Sequence, residues 1–131
     1  MLDERQLYER ACAALERAYA PYSHFRVGAC LLTGDGRMFE GCNIENASLG
    51  ATICAERAAV SAAVSAGARA FTAICVVGER APAWPCGICR QVLNEFGPGM
   101  TVLCGSVEAR SYEKTTLDKL LPHAFGPRQL G

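Results

Sequence analysis

The chain lacks an excess of charge of either sign: 13 Lys and Arg balance 13 Asp and Glu, for a formal net charge of zero. That balance argues against the broad basic surface by which proteins hold nucleic-acid phosphates, and it favours a small neutral or polar substrate. A long apolar run is missing too, as is any N-terminal stretch built like a signal or transit peptide, so the expected compartment is the cytoplasm with no membrane partner. Internal repeats and low-complexity segments are absent, which excludes solenoid and linker-rich architectures. Histidine is scarce. His24 and His123 each stand in a loop context with no second histidine at helical spacing, which argues against a histidine-paired metal site.

What is present is a chain of 131 residues, 50% of them hydrophobic, enough to bury one core, so residues 1–131 are expected to form a single domain. Eight cysteines stand out. In a cytoplasmic chain they read as thiols, and five of them (Cys12, Cys30, Cys42, Cys75, Cys104) lie in apolar patterns where cysteine packs as a small hydrophobe.

The other three fall in two short motifs, Cys54-Ala55-Glu56-Arg57 and Pro85-Cys86-Gly87-Ile88-Cys89-Arg90. Thiolates hold Zn²⁺ tetrahedrally, and three of them leave one position for water, which makes such a site catalytic. Cys86 and Cys89 are three apart and share one face of a helix opening near Pro85. Cys54 and Glu56 are two apart, so Cys54 is expected at the mouth of its helix rather than within it. Both helix N-termini then face the metal, and their dipoles, with Arg57 and Arg90, favour anionic sulfur. Glu56 is placed to take a proton from water and hand it on. A Cys-x-x-Cys pair alone also fits a structural zinc half-site or a redox pair, and Glu56 alone also fits an acidic residue favoured in a first helical turn.

Hydrophobic periodicity places these motifs in an α/β chain. Residues 2–19 read as a helix ended by Pro21, residues 27–32 as a buried strand, and residues 37–44 as its antiparallel partner across a turn at 33–36. Residues 54–66 form an alanine-rich helix stopped by Gly67. Residues 71–77 are apolar on both faces and so belong to a strand parallel to a neighbour, with helices on each side. A helix over 86–96, a second parallel-type strand over 100–104, an edge strand over 107–112, a last helix over 115–121 and a loop tail over 123–127 complete the expectation. Asn43-Ile44-Glu45-Asn46 stands before the metal helix with side chains suited to sugar hydroxyls, a pattern equally met by turn residues and a solvated carboxylate.

Five segments in order, Phe25-Arg26-Val27-Gly28-Ala29, residues 41–47, Cys54-Ala55-Glu56-Arg57, residues 85–91 and residues 120–127, span nearly the whole chain. Together they resemble the small, homotetrameric cytidine deaminases. The wider zinc deaminases share a Cys or His two before the Glu and a later Pro-Cys-x-x-Cys. The resemblance implies a three-layer α/β/α fold around a mixed, roughly five-stranded sheet, and hydrolysis of cytidine and deoxycytidine with release of ammonia for pyrimidine salvage. It implies one zinc per chain on Cys54, Cys86 and Cys89, Glu56 as proton shuttle, and Arg57 hydrogen-bonded to the ligand thiolates. For the nucleoside it implies Asn43 and Glu45 at the ribose, Phe25 and Ala55 at the substrate, and Phe125 reaching a neighbouring subunit's pocket. One departure is visible: similar members carry Tyr after Asn-Ala-x, and here the position is Leu49, which bears on subunit contacts and not on the metal chemistry. An aminonucleoside-antibiotic deaminase and a non-catalytic zinc module are the alternatives, the first separated by assay and the second by a fourth protein ligand.

Overall fold

Asp3 accepts a hydrogen bond from the Gln6 backbone N–H at 3.0 Å and so caps the first helix, α1 (Glu4–Leu15). The computed structural model describes residues 2–130, so the two ends of the expected 1–131 domain lie outside the described residues. α1 is shorter than the expected 2–19. Its last turn tightens, with the Glu16 and Arg17 N–H groups donating to Ala13 and Ala14, and Tyr19 then leaves to pair with the sheet. Tyr19 N–H donates to Asn43 O at 2.9 Å and Glu45 N–H to Tyr19 O at 2.8 Å, so strand pairing overrides the helical pattern there.

Five strands follow as one sheet in the order β2-β1-β3-β4-β5. β1 (Val27–Thr33) pairs antiparallel with both β2 (Met38–Cys42) and β3 (Phe71–Gly78); β3 runs parallel to β4 (Thr101–Ser106), and β5 (Ser111–Thr116) returns antiparallel along β4. The parallel pair is the one expected from strands apolar on both faces. Alternation along β1 sends Ala29 and Leu31 to one face and Cys30 and Leu32 to the other. Cys30 and Leu32 meet Leu7, Ala11 and Leu15 of α1. Ala29 and Leu31 meet α2 (Ala55–Ser65), whose face shares its core with Leu93 of α3 (Gly87–Phe96) and Leu117 of α4 (Leu117–Leu120). Helices therefore cover both faces, as the three-layer expectation requires.

The C-terminal third departs from the sequence reading. The expected edge strand at 107–112 is displaced to Ser111–Thr116, because residues 107–110 make the turn, with Arg110 at φ 54° and Ala109 N–H donating to Ser106 Oγ. Thr115 and Thr116 pair with Val102 and Thr101, so the last expected helix begins only at Leu117. The loop expected over 123–127 ends at Pro127, which opens a single helical turn, α5 (Pro127–Leu130).

Two glycines set how closely the layers approach. A Cβ on Gly41 would stand 2.4 Å from Ala55 O and 2.5 Å from Ala59 N, so β2 and the start of α2 touch backbone to backbone. At Gly78 a Cβ would stand 2.2 Å from Ala81 O and 2.8 Å from the Phe25 ring, so the loop after β3 folds back over the strand end. Both contacts frame one cavity.

Candidate active site

Cys54 and Cys86 are the N-cap residues of α2 and α3, with extended backbones (φ −72°, ψ 154° and φ −68°, ψ 170°), and Cys89 lies in the first turn of α3. Neither cap side chain bonds its own helix, which leaves both sulfurs free to turn toward each other. Cys54 Sγ and Cys86 Sγ are 3.8 Å apart, and the three sulfurs all lie within 4.8 Å of one another. A tetrahedron with Zn–S bonds of about 2.3 Å has an edge of about 3.8 Å, so the spacing suits zinc. The expectation that Cys54 sits at a helix mouth and that two helix N-termini converge is met.

The electrostatics fit a cation as well. A hydrogen bond from Cys89, aided by Arg57 and Cys86 and opposed by burial, brings the Cys54 thiol down to about 5. Cys89 goes the other way: donating to Cys54, together with burial, holds its proton. Without a cation the cluster thus ionises readily at one sulfur and resists at the next, whereas a dication compensates both. Arg57 Nη2 donates to Thr52 O at 3.3 Å and to Cys54 Sγ at 3.7 Å, as the family resemblance implies. Its buried Nε has no hydrogen-bond partner, an uncompensated cationic donor beside a thiol cluster that gains charge on binding metal. Arg90, expected to supply positive charge near the sulfurs, also has a bracing role. Its Nε and Nη1 donate to Pro85 O at 2.7 Å and Leu120 O at 2.9 Å, tying the start of α3 to α4.

Glu56, second residue of α2, is 4% exposed. Burial pushes its carboxyl up to about 7, with the Cys54 charge adding to the rise and Arg57 opposing it. A carboxyl poised there takes and returns protons at neutral pH.

These groups open on a cavity of about 310 Å³ that Phe25, Asn43, Thr52, Cys54, Ala55, Glu56 and Cys86 line together with Val27 and residues 82–84. Asn43 is buried and rigid: its Oδ1 accepts from Val27 N–H and its Nδ2 donates to Phe25 O, both at 2.9 Å. The amide therefore ties the loop residue Phe25 to the start of β1 while itself lining the cavity. Glu45 is not among the lining residues. Its carboxylate accepts from the Tyr22 and Ser23 N–H groups at 2.9 and 3.1 Å and from the Ser23 hydroxyl, fixing the loop before Phe25. Hydrogen bonds from Ser23 and Tyr22, against a little desolvation, hold it below the usual carboxylate range. Phe125 is 55% exposed and off this cavity, with its carbonyl accepting from Gln91 Nε2 at 2.8 Å. Cys42 is not in the sulfur cluster. Residues 82–84 are lining residues that the sequence presents only as part of a loop; their proximity to the Pro-Cys motif was the available signal.

Residues 1–105 match the family described as the cytidine and deoxycytidylate deaminase zinc-binding region. The cytidine deaminase of Sporosarcina psychrophila is 46% identical, covering 98% of this chain and 96% of its own, and that of Halalkalibacterium halodurans is 47% identical over 95% of each. Among solved structures, the cytidine deaminase of Burkholderia pseudomallei superposes with a TM-score of 0.89 at 49% identity, covering 95% of this chain and all of that one. The Mycobacterium tuberculosis cytidine deaminase superposes with a TM-score of 0.83 at 42% identity, covering 96% and 99%. The convergent cysteines with a buried carboxyl beside them, and the match over most of the sequence, lead to one conclusion: the chain belongs to the cytidine and deoxycytidylate deaminase family, with its zinc-binding region.

Proposed function

We propose that the protein hydrolyses cytidine and deoxycytidine to uridine and deoxyuridine with release of ammonia, as a zinc-dependent deaminase of pyrimidine salvage, and that residues 1–131 act as one domain. The observation that carries this is the buried Glu56 carboxyl lining the same cavity as Cys54 and Cys86 of the cysteine cluster. Cys54, Cys86 and Cys89 hold the zinc, which supplies the acidification of water that hydrolysis at neutral pH requires. Glu56 takes a proton from the attacking water and delivers it to the ring nitrogen N3. It then carries the second proton to the departing amine, so water and cytidine leave as uridine and ammonia. Thr52 O and Cys54 orient Arg57, whose charge steadies the thiolates through these steps.

Asn43 keeps one N–H and one lone pair free of its two backbone partners, enough to meet a ribose hydroxyl without moving. Phe25 packs on the base and the Ala55 backbone completes the floor. The role of Glu45 at the ribose rests on the family resemblance. Neutral net charge supports a nucleoside rather than a polynucleotide. Among the described residues no helix is long and apolar enough to cross a membrane, and all eight cysteines are free thiols, which supports a reducing cytoplasm. Exposed Leu49, Ile88 and Phe125 support a homotetramer whose sites are completed by neighbours. Ammonia release from cytidine by the zinc-loaded protein tests the reading; zinc bound at one per chain with no turnover of cytidine or deoxycytidine overturns it.

A further inference from the structure

One wall of the cavity is an aromatic side chain that the proton chemistry leaves without a task. Trp84 is the chain's single tryptophan, lines the cavity and remains 42% exposed. Its backbone is pinned on both sides. Ala83, buried, donates its N–H to Gly105 O at 3.3 Å, and Pro85, also buried, has its carbonyl held by Arg90 Nε at 2.7 Å. The main chain that carries Trp84 is therefore fixed at the edge of the cavity that the ring lines.

The two flanks of the cavity come from different elements. Ala55 and Glu56 belong to α2, whereas Trp84 and Cys86 belong to the approach to α3, and the two flanks meet where Cys54 Sγ lies 3.8 Å from Cys86 Sγ. Hydrolysis at C4 sets that ring carbon beside the sulfur cluster and turns N3 toward Glu56, the proton carrier. In a pyrimidine, N3 and C5 flank C4 on opposite sides. A ring with N3 toward α2 accordingly turns its C5 edge toward the approach to α3. We propose that Trp84 is the specificity-determining wall at C5, admitting hydrogen there and rejecting larger substituents. The inference rests on the deaminase reading above.

A methyl group that a rigid wall has no room for costs roughly 10–200-fold in kcat/KM. Wild-type enzyme should turn over 5-methylcytidine at least about tenfold less efficiently than cytidine, Trp84→Ala should bring the two within about threefold, and Trp84→Phe should fall between. The readout is the ratio, so a general loss in the variants does not affect it, and Trp84→Phe serves if Trp84→Ala does not fold. Because the tryptophan is unique, wild-type fluorescence excited at its red edge reports binding without turnover. Uridine should change the emission saturably, and 5-methyluridine should need at least about tenfold more ligand. A ratio unchanged in both variants, or uridine that competes with cytidine yet leaves the emission unaltered, overturns the role of Trp84. Wild-type protein inert toward cytidine would instead sink the deaminase reading itself.

Discussion

Glu56→Gln keeps the size of the side chain and removes its ability to exchange a proton, which separates proton transfer from metal binding. Glu56 is not needed to hold the ion, so the variant should retain about one zinc per chain by elemental analysis while kcat falls by ~10²–10⁴-fold. Unimpaired kcat would remove Glu56 from the mechanism. Cys86→Ala should behave differently, losing zinc and activity together and lowering the melting temperature, because metal affinity adds to folding stability. A second carboxylate makes a pH-dependent contribution far from the chemistry. Burial pushes Glu40 up, but hydrogen bonds from Arg10 Nε, at 2.9 Å, and from Arg17 outweigh it and hold the carboxyl below its ordinary 4.5. A depressed folded-state pKa stabilises above the unfolded value and the contribution disappears as pH falls through the folded value. Glu40→Gln should therefore cost about 1–2 kcal/mol in denaturant unfolding at pH 7, and the deficit should shrink steadily below about pH 4.5. A deficit constant from pH 7 to pH 3 would contradict it.

At the scale of elements, the position of α2 depends on a side chain that is not there. With Ala55 O and Ala59 N at 2.4 and 2.5 Å from a Cβ on Gly41, neither neighbour can rotate away, since both are helix backbone. Gly41→Ala should push α2 off β2, costing about 1–3 kcal/mol and weakening zinc binding through displaced Cys54, which a zinc-chelator competition measures. Zinc affinity as in the wild type would show that the Cys54 cap does not depend on this contact. The helix starts at the site were legible beforehand because their causes are local: a two-residue Cys-x-Glu spacing cannot put both groups on one helical face, so Cys54 had to be a cap. The parallel pairing of β3 and β4 was legible too, from apolar residues on both faces. The boundaries of α1, β5 and α4 were not, since Tyr19 pairs with Ile44 and Thr115 with Val102 across 25 and 13 residues of chain, outside the reach of any local pattern. The same holds for residues 82–84. Their place on the cavity follows from the path of a loop pinned at Gly105 and Pro85 rather than from their own sequence.

At the scale of the whole molecule, the resemblance assigns Phe125 to a neighbour's pocket, and within one chain its ring lies outside the cavity. Phe125 is absent from the cavity of its own chain and 55% exposed, while Gln91 Nε2 holds its backbone carbonyl at 2.8 Å. An apolar ring held in water by a backbone contact gains by being covered, and Leu49 and Ile88, 75% and 61% exposed, offer further surface of the same kind on other elements. If the proposed homotetramer completes each site with Phe125, the substitution Phe125→Ala should raise KM for cytidine by about tenfold or more with zinc content unchanged, since a pocket contact is lost and no zinc ligand is touched. Assembly makes the same claim in a second way. Specific activity should fall on dilution along the same concentration curve that sedimentation velocity gives for dissociation, because on that proposal a monomer has every zinc ligand but lacks its neighbour's Phe125. Full activity in dissociated monomers, or a Phe125→Ala enzyme with an unaltered KM, would show that each chain closes its own site and that the exposed ring serves contacts other than catalysis.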